Sequence, residues 1–134
     1  MIHDELTQKI IGCIYKVSNT LGSGFLEKVY ENALAREICK SGLKVEQQYP
    51  IKVFYEGQPV GEFVADLLIE ETVLIELKAV RALDETHMAQ AINYLKATGL
   101  NICLLINFGK PKVEIRRLIP YEIWQGRKPE IRRA

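Results

Sequence analysis

The stretch Phe63-Val64-Ala65-Asp66-Leu67-Leu68-Ile69, followed by Glu70-Glu71-Thr72 and then Val73-Leu74-Ile75-Glu76-Leu77-Lys78-Ala79, decides how the chain is read. Two apolar runs flank a short polar turn, the pattern of a tight antiparallel hairpin. Three charged residues interrupt those runs. Glu76 and Lys78 are two apart and so share one face of their strand, and a turn centred near Glu71 sets Asp66 nearly opposite Glu76. The side chains of Asp66, Glu76 and Lys78 are therefore expected to converge within a sheet.

Carboxylates drawn together out of water repel each other and lose hydration unless a cation or an ion pair compensates. A divalent metal answers that demand, and hard oxygen ligands favour Mg2+ or Mn2+ completed by water and substrate phosphate. Lys78 beside such an ion is placed to hold an attacking water and to offset charge developing on phosphorus. The plainer alternative is a salt bridge from Lys78 to Asp66 or Glu76 that only satisfies the sheet. Such pairs add little net stability over apolar replacements, so two acids and a base on adjacent strands point to use. A Glu-x-Lys triplet alone carries little weight, because it arises by chance.

Outward from this hairpin the pattern is α/β. Apolar residues Leu6, Ile10, Cys13, Ile14, Val17 and Leu21 recur at three- and four-residue steps, predicting a helix from Asp4 to Leu21. Gly22-Ser23-Gly24 interrupts it, and a second helix is expected from about Leu26 to Lys40 with Val29, Ala33 and Ile38 inward. Strands are expected over 45–55, 60–69 and 73–80 as an antiparallel meander, with Glu56-Gly57 as a turn and Pro50 and Pro59 at an edge or strand end. A helix over 83–98 follows, capped by Asp84 and ended by Gly99, with Met88, Ala91, Ile92 and Leu95 buried. A strand over 101–108 is then expected, its apolar run 102–106 buried on both faces and, being reached through a helix, parallel to the preceding strand. The segment 113–118 reads as an edge strand, and 120–134 as a short helix and tail.

The order of these elements, an Asp on one strand, Glu-x-Lys on the next and a helix after them, resembles the PD-(D/E)xK nuclease superfamily. The segment Gly24-Phe25-Leu26-Glu27-Lys28-Val29-Tyr30 is similar to the motif of its GxxExxY family. Ala65 stands where the superfamily's name has a proline. The resemblance covers nearly the whole chain and implies a restriction-endonuclease-like core, a central mixed sheet flanked by helices. It further implies a metal-dependent nuclease acting on nucleic acid, DNA or RNA, with DNA the first expectation. Its metal ligands would be Asp66 and Glu76 with Glu27 assisting, Lys78 would activate water, and Gln90 would orient substrate or the active-site residues.

Read on its own, Glu27 is also a first-turn carboxylate favoured by the helix dipole. Tyr30, one turn on, either braces that carboxylate or packs, and packing is preferred. Gln90 and Tyr94, four apart, resemble the Gln-x-x-x-Tyr element of several superfamily nucleases, and a polar surface stripe is the alternative. His87 on the same flank is read as surface.

Composition bounds the rest. With 134 residues and 48% hydrophobic content, one domain over 1–134 is expected. A net charge of +1 argues against a tail-driven nucleic-acid binder but not against a local basic surface, and Arg116, Arg117, Arg127, Lys128, Arg132 and Arg133 gather late. A solvated terminal charge run is the other reading of them. Cys13, Cys39 and Cys103 are odd in number, scattered and among apolar neighbours, so neither disulfides nor a zinc site is indicated and all three are expected in the core. No signal-like or membrane-length apolar segment is seen, which leads to the expectation of a cytoplasmic protein without a membrane partner. A non-cleaving binding module and a homodimer or partner-dependent enzyme are the competing readings. Tyr121, Ile123 and Trp124 are candidate contacts for the latter.

Overall fold

The computed structural model describes residues 4–120. In chain order it contains α1 (Asp4–Leu21), α2 (Glu27–Lys40), β1 (Val45–Tyr55), β2 (Gln58–Ile69), β3 (Val73–Lys78), α3 (Glu85–Thr98), β4 (Ile102–Asn107) and β5 (Glu114–Leu118). The strands form one sheet in the order β1-β2-β3-β4-β5. All neighbours are antiparallel except β3 and β4, which run parallel on either side of the α3 crossover. This is the mixed sheet that the sequence predicts.

Two apolar layers sandwich the sheet. Ile10, Ile14 and Val17 of α1 and Tyr30, Leu34 and Ile38 of α2 share one layer with the strand residues Leu67, Ile69, Ile75, Leu77, Leu104 and Ile106. On the opposite face Ala91, Tyr94 and Leu95 of α3 pack with Ile51, Leu68, Leu74 and Cys103. Covered on both sides, β4 is buried at every residue, which is why its sequence is continuously apolar rather than alternating. No helix among the described residues is long and apolar enough to cross a membrane.

The central hairpin takes its register from a three-residue turn between Ile69 and Val73. Glu70 and Glu71 both hold positive φ there (52° and 54°). Lys44 clamps the turn: its N–H donates to Glu70 Oε2 at 2.6 Å, and its Nζ lies 2.9 Å from Glu71 Oε1. Pro50 lies on the edge strand β1, and Pro59 lies where β2 extends beyond its pairing with β3, so neither removes a donor that a central ladder needs.

Several sequence expectations shift. The second helix buries Tyr30, Leu34, Ala35 and Ile38 with Glu31, whereas Val29 is 39% exposed and Ala33 only half-buried. The Tyr30 ring sets that rotation by stacking on Phe108, with centroids 4.5 Å apart and planes at 4°. On α3 the buried stripe is Ala91, Tyr94 and Leu95, with Met88 and Ile92 at its margins. Cys39 is exposed, unlike Cys13 and Cys103. The third strand ends at Lys78, short of Val80, because the Val80 backbone bonds to the Asn107 side chain instead of a strand. The tail beyond residue 120, with its basic cluster and Tyr121, Ile123 and Trp124, lies outside the described residues. Arg116 and Arg117 are engaged by acids, at 3.1 Å to Glu114 and 3.0 Å to Asp4.

Tyr30 also ties the glycine link to the core. Its hydroxyl donates to the Gly22 carbonyl at 2.6 Å and accepts from the Phe25 N–H at 3.2 Å. Tyr30→Phe keeps the ring stack but strands both backbone groups, so thermal denaturation is expected to show a loss of about 1–3 kcal/mol. An unchanged melting curve would mean that water serves that linkage equally well.

Candidate active site

The ladder between β2 and β3 covers only Leu67–Ile69 against Val73–Ile75. Just beyond it the strands part, and two carboxylates stand in for backbone acceptors. The Asp66 N–H donates to Glu76 Oε1 at 2.9 Å, and the Leu77 N–H donates to Asp66 Oδ2 at 2.7 Å. Each acid is thus anchored by one oxygen to the opposite strand. Among the described residues no protein donor occupies Asp66 Oδ1 or Glu76 Oε2. Glu76 is 5% exposed and, by strand alternation from Leu74, lies on the α3 side together with Lys78.

The electrostatics follow from that burial. Desolvation, then the Asp66 charge beside it, pushes the Glu76 carboxyl up to about 8, against the opposing pull of the Asp66 N–H and of Lys78. Asp66 is raised as well, first by burial and then by Glu31 and Glu27, while the Leu77 amide holds it back. The Tyr94 phenol, buried on α3, is pushed up to about 12 by burial and then by the Glu76 and Asp66 charges. Lys78 makes no ion pair within 4 Å among the described residues, so it is not consumed in a salt bridge to either acid.

A buried acid and a half-buried one, each with an oxygen that no described donor occupies, are short of positive charge, and a hard divalent cation fits that need. No group of three or more His, Cys, Asp or Glu among the described residues is arranged to hold a metal. A pair of carboxylates suits an ion such as Mg2+, which is commonly held by one or two carboxylates and keeps its remaining positions for water and substrate oxygens.

Asp66 and Glu76 interlock across the hairpin as their spacing predicts, and Lys78, on the Glu76 face of β3, lies near enough for its charge to act on both acids. Glu27 opens α2 on its exposed side and acts on both acids through its charge rather than through a hydrogen bond. Tyr30 is fully buried and bonded to the Gly22–Phe25 link, not to Glu27. Gln90 is half-buried one turn before Tyr94, with no hydrogen bond to the acids. His87 closes a capping box with Asp84: the His87 N–H donates to Asp84 Oδ1 at 3.0 Å, and the Asp84 N–H donates to His87 Nδ1 at 3.2 Å.

Three neighbouring residues escape the sequence reading. Asn107, fully buried, accepts from the Val80 N–H (3.0 Å) and the Gly109 N–H (2.9 Å) through Oδ1, and donates to the Val80 carbonyl (2.9 Å) through Nδ2. The Phe108 N–H donates to the Lys78 carbonyl at 2.8 Å. Gly109 lies so close that a Cβ there would collide with the Val80 carbonyl oxygen and amide nitrogen. This strap fixes the chain as it leaves Lys78. A polar residue closing the apolar run 102–106 was its available signal. Glu31 is the third, a buried acid on α2 that the misplaced helix rotation hid.

An open mixed sheet whose central strands part around two acids, with a lysine following on the same strand face, defines a restriction-endonuclease-like core. The PD-(D/E)XK nuclease superfamily matches residues 4–118, and the chain belongs to it. Nucleases of this superfamily generally depend on a divalent metal, and their substrates are nucleic acids. Among solved structures the chain is similar to an alkaline exonuclease from Laribacter hongkongensis, at 18% identity over 74% of this chain with a TM-score of 0.52. It is also similar to the protein SSO0001, at 18% identity over 87% of this chain with a TM-score of 0.55. These likenesses show the fold, and the match spans 58% of each of those chains. No curated protein matches the chain.

Proposed function

We infer that the chain is a metal-dependent nuclease of the GxxExxY type, hydrolysing phosphodiester bonds of nucleic acid, with DNA the first substrate to try. The observation that carries this reading is the interlocked Asp66–Glu76 pair, each acid with one oxygen that no described donor occupies, beside a lysine that pairs with no acid among the described residues. Asp66 and Glu76 would hold Mg2+ or Mn2+, which when bound supplies charge for the phosphate oxygens and lowers the pKa of water. Lys78 would orient the attacking water, whose oxygen forms the new bond to phosphorus as the bond to the leaving sugar oxygen breaks. Its ammonium offsets the negative charge that grows on the phosphoryl oxygens. Glu27 adds negative charge at the rim and draws cations toward the pair. Gln90, half-buried one turn from Tyr94, would orient substrate or the active-site residues.

The test is incubation with labelled single-stranded DNA, double-stranded DNA and RNA in Mg2+ or Mn2+, beside EDTA and Lys78→Ala. Cleavage is expected to stop with EDTA and to fall by about 100-fold or more in the variant. Intact polymers under all conditions, with the fold and Mn2+ binding verified, would sink the reading in favour of a non-cleaving or partner-dependent module.

A further inference from the structure

Glu31 is 4% exposed, and three side chains surround its carboxylate. Lys28 Nζ lies 3.2 Å from both oxygens, Gln48 Nε2 donates to Oε1 at 2.8 Å, and Gln47 Nε2 donates to Oε2 at 2.8 Å. A buried acid of α2 is thereby tied to two consecutive residues of β1.

Those residues mark a break in the sheet. Gln48 has φ 54°, a left-handed step that a side chain such as glutamine seldom takes within a strand. The β1–β2 register pairs Gln47 with Leu67 and Tyr49 with Ala65, and omits Gln48 and the Asp66 that would face it. The faces change over at the same place. Leu67 packs under α1 and α2, whereas Ala65, two residues earlier, packs under α3. On β1, Val45 belongs to the first layer and Tyr49 and Ile51 to the second. Residues an even number apart share a face in a regular strand, so both strands roll over at Gln48 and Asp66.

We propose that Glu31 is a positioning residue for Asp66. By clamping Gln47 and Gln48 it holds β1 in the left-handed step, which rolls β2 over and turns the Asp66 carboxylate onto the Leu77 N–H. Released from the clamp, Gln48 relaxes toward extended geometry and the Asp66–Leu77 bond opens. The importance of this for cleavage rests on the nuclease reading, but the placement of Asp66 can be read without it.

Amide hydrogen exchange at Leu77 in 15N-labelled protein reports that bond directly, with Ile106 in the β3–β4 ladder as internal reference. Glu31→Gln keeps the side-chain volume but removes the charge and turns an NH2 group against two of the three donors, Lys28 and one of the two glutamines. Exchange at Leu77 is expected to accelerate roughly tenfold relative to Ile106. Adding Gln48→Gly in the Glu31→Gln background should restore protection, because glycine takes the left-handed step without steric cost. Should Glu31→Gln fail to fold, Gln48→Val, which disfavours that step while leaving Glu31 intact, is expected to give the same selective loss. Unchanged Leu77 protection in either folded variant, or no rescue by the glycine, would overturn the proposal. Mn2+-dependent cleavage measured on the same proteins should follow the Leu77 amide. A wild-type protein that cleaves nothing would remove the nuclease reading while the exchange data still decide where Asp66 is held.

Discussion

Glu76→Gln is expected to give a protein that is more stable and inactive. The wild-type carboxyl is neutral in the folded chain up to about pH 8, whereas in the unfolded chain it ionises near the usual 4.5. Between those values the folded state holds a proton that the unfolded state releases, so metal-free stability falls as pH rises through this window and levels off above it. Each unit of separation corresponds to about 1.4 kcal/mol, and the total reaches a few kcal/mol. Glutamine retains an oxygen to accept the Asp66 N–H but carries no charge. The variant should therefore melt on the order of 10 °C above wild type at pH 8, with a gap that narrows toward pH 5. Mg2+ or Mn2+ should raise the wild-type melting temperature at pH 8 and leave the variant unmoved, because the metal displaces the very proton that glutamine lacks. Equal melting temperatures at pH 8 without metal would mean that Glu76 is not held in the desolvated setting described above.

Asn107→Ala and Gly109→Ala are expected to act in the opposite sense, lowering stability and activity together. Alanine at 107 leaves the Val80 N–H and carbonyl and the Gly109 N–H without their partner in a fully buried knot, a loss of about 3–5 kcal/mol. Alanine at 109 drives a methyl into the Val80 backbone, which cannot rotate away as a side chain would. The segment leaving Lys78 must then shift, and a misplacement of about 1 Å at a reacting group can cost roughly 100-fold in rate. Chemical denaturation and single-turnover cleavage, run well below the melting point so that only folded protein is compared, separate the two losses. A folded Asn107→Ala protein with the wild-type rate would show that Lys78 does not need the strap.

The hairpin and its charged triad were legible in the sequence because period two and a short turn determine faces and partners almost without tertiary information. Asp66, Glu76 and Lys78 follow from counting residues, as does the parallel crossover through α3. What was not legible came from rotation and from long-range bonds. The helical periodicity of α2 admits two neighbouring stripes, and only the stack of Tyr30 on Phe108, distant in the chain, selects the one that buries Glu31 and exposes Val29. The same ambiguity moved Tyr94 from a flank into the layer beneath α3. Asn107 could be recognised as polar at the end of a buried strand, but its partner, the Val80 backbone, carries no side-chain signature at all. The rollover at Gln48 was equally silent, since neither glycine nor asparagine marks the left-handed residue.

The bonds from Asn107 to Val80 join residues 27 apart in the chain, with all of α3 in the excursion between them. The entropy of closing such an excursion grows only as the logarithm of its length, so doubling it costs roughly 0.6 kcal/mol. Extra segments can therefore be spliced into the exposed connections around α3 while the spacing of Asp66, Glu76 and Lys78 stays fixed by bonds at the strand ends. The chemical centre is insulated from growth of the chain around it, and enlargement there need not redraw it.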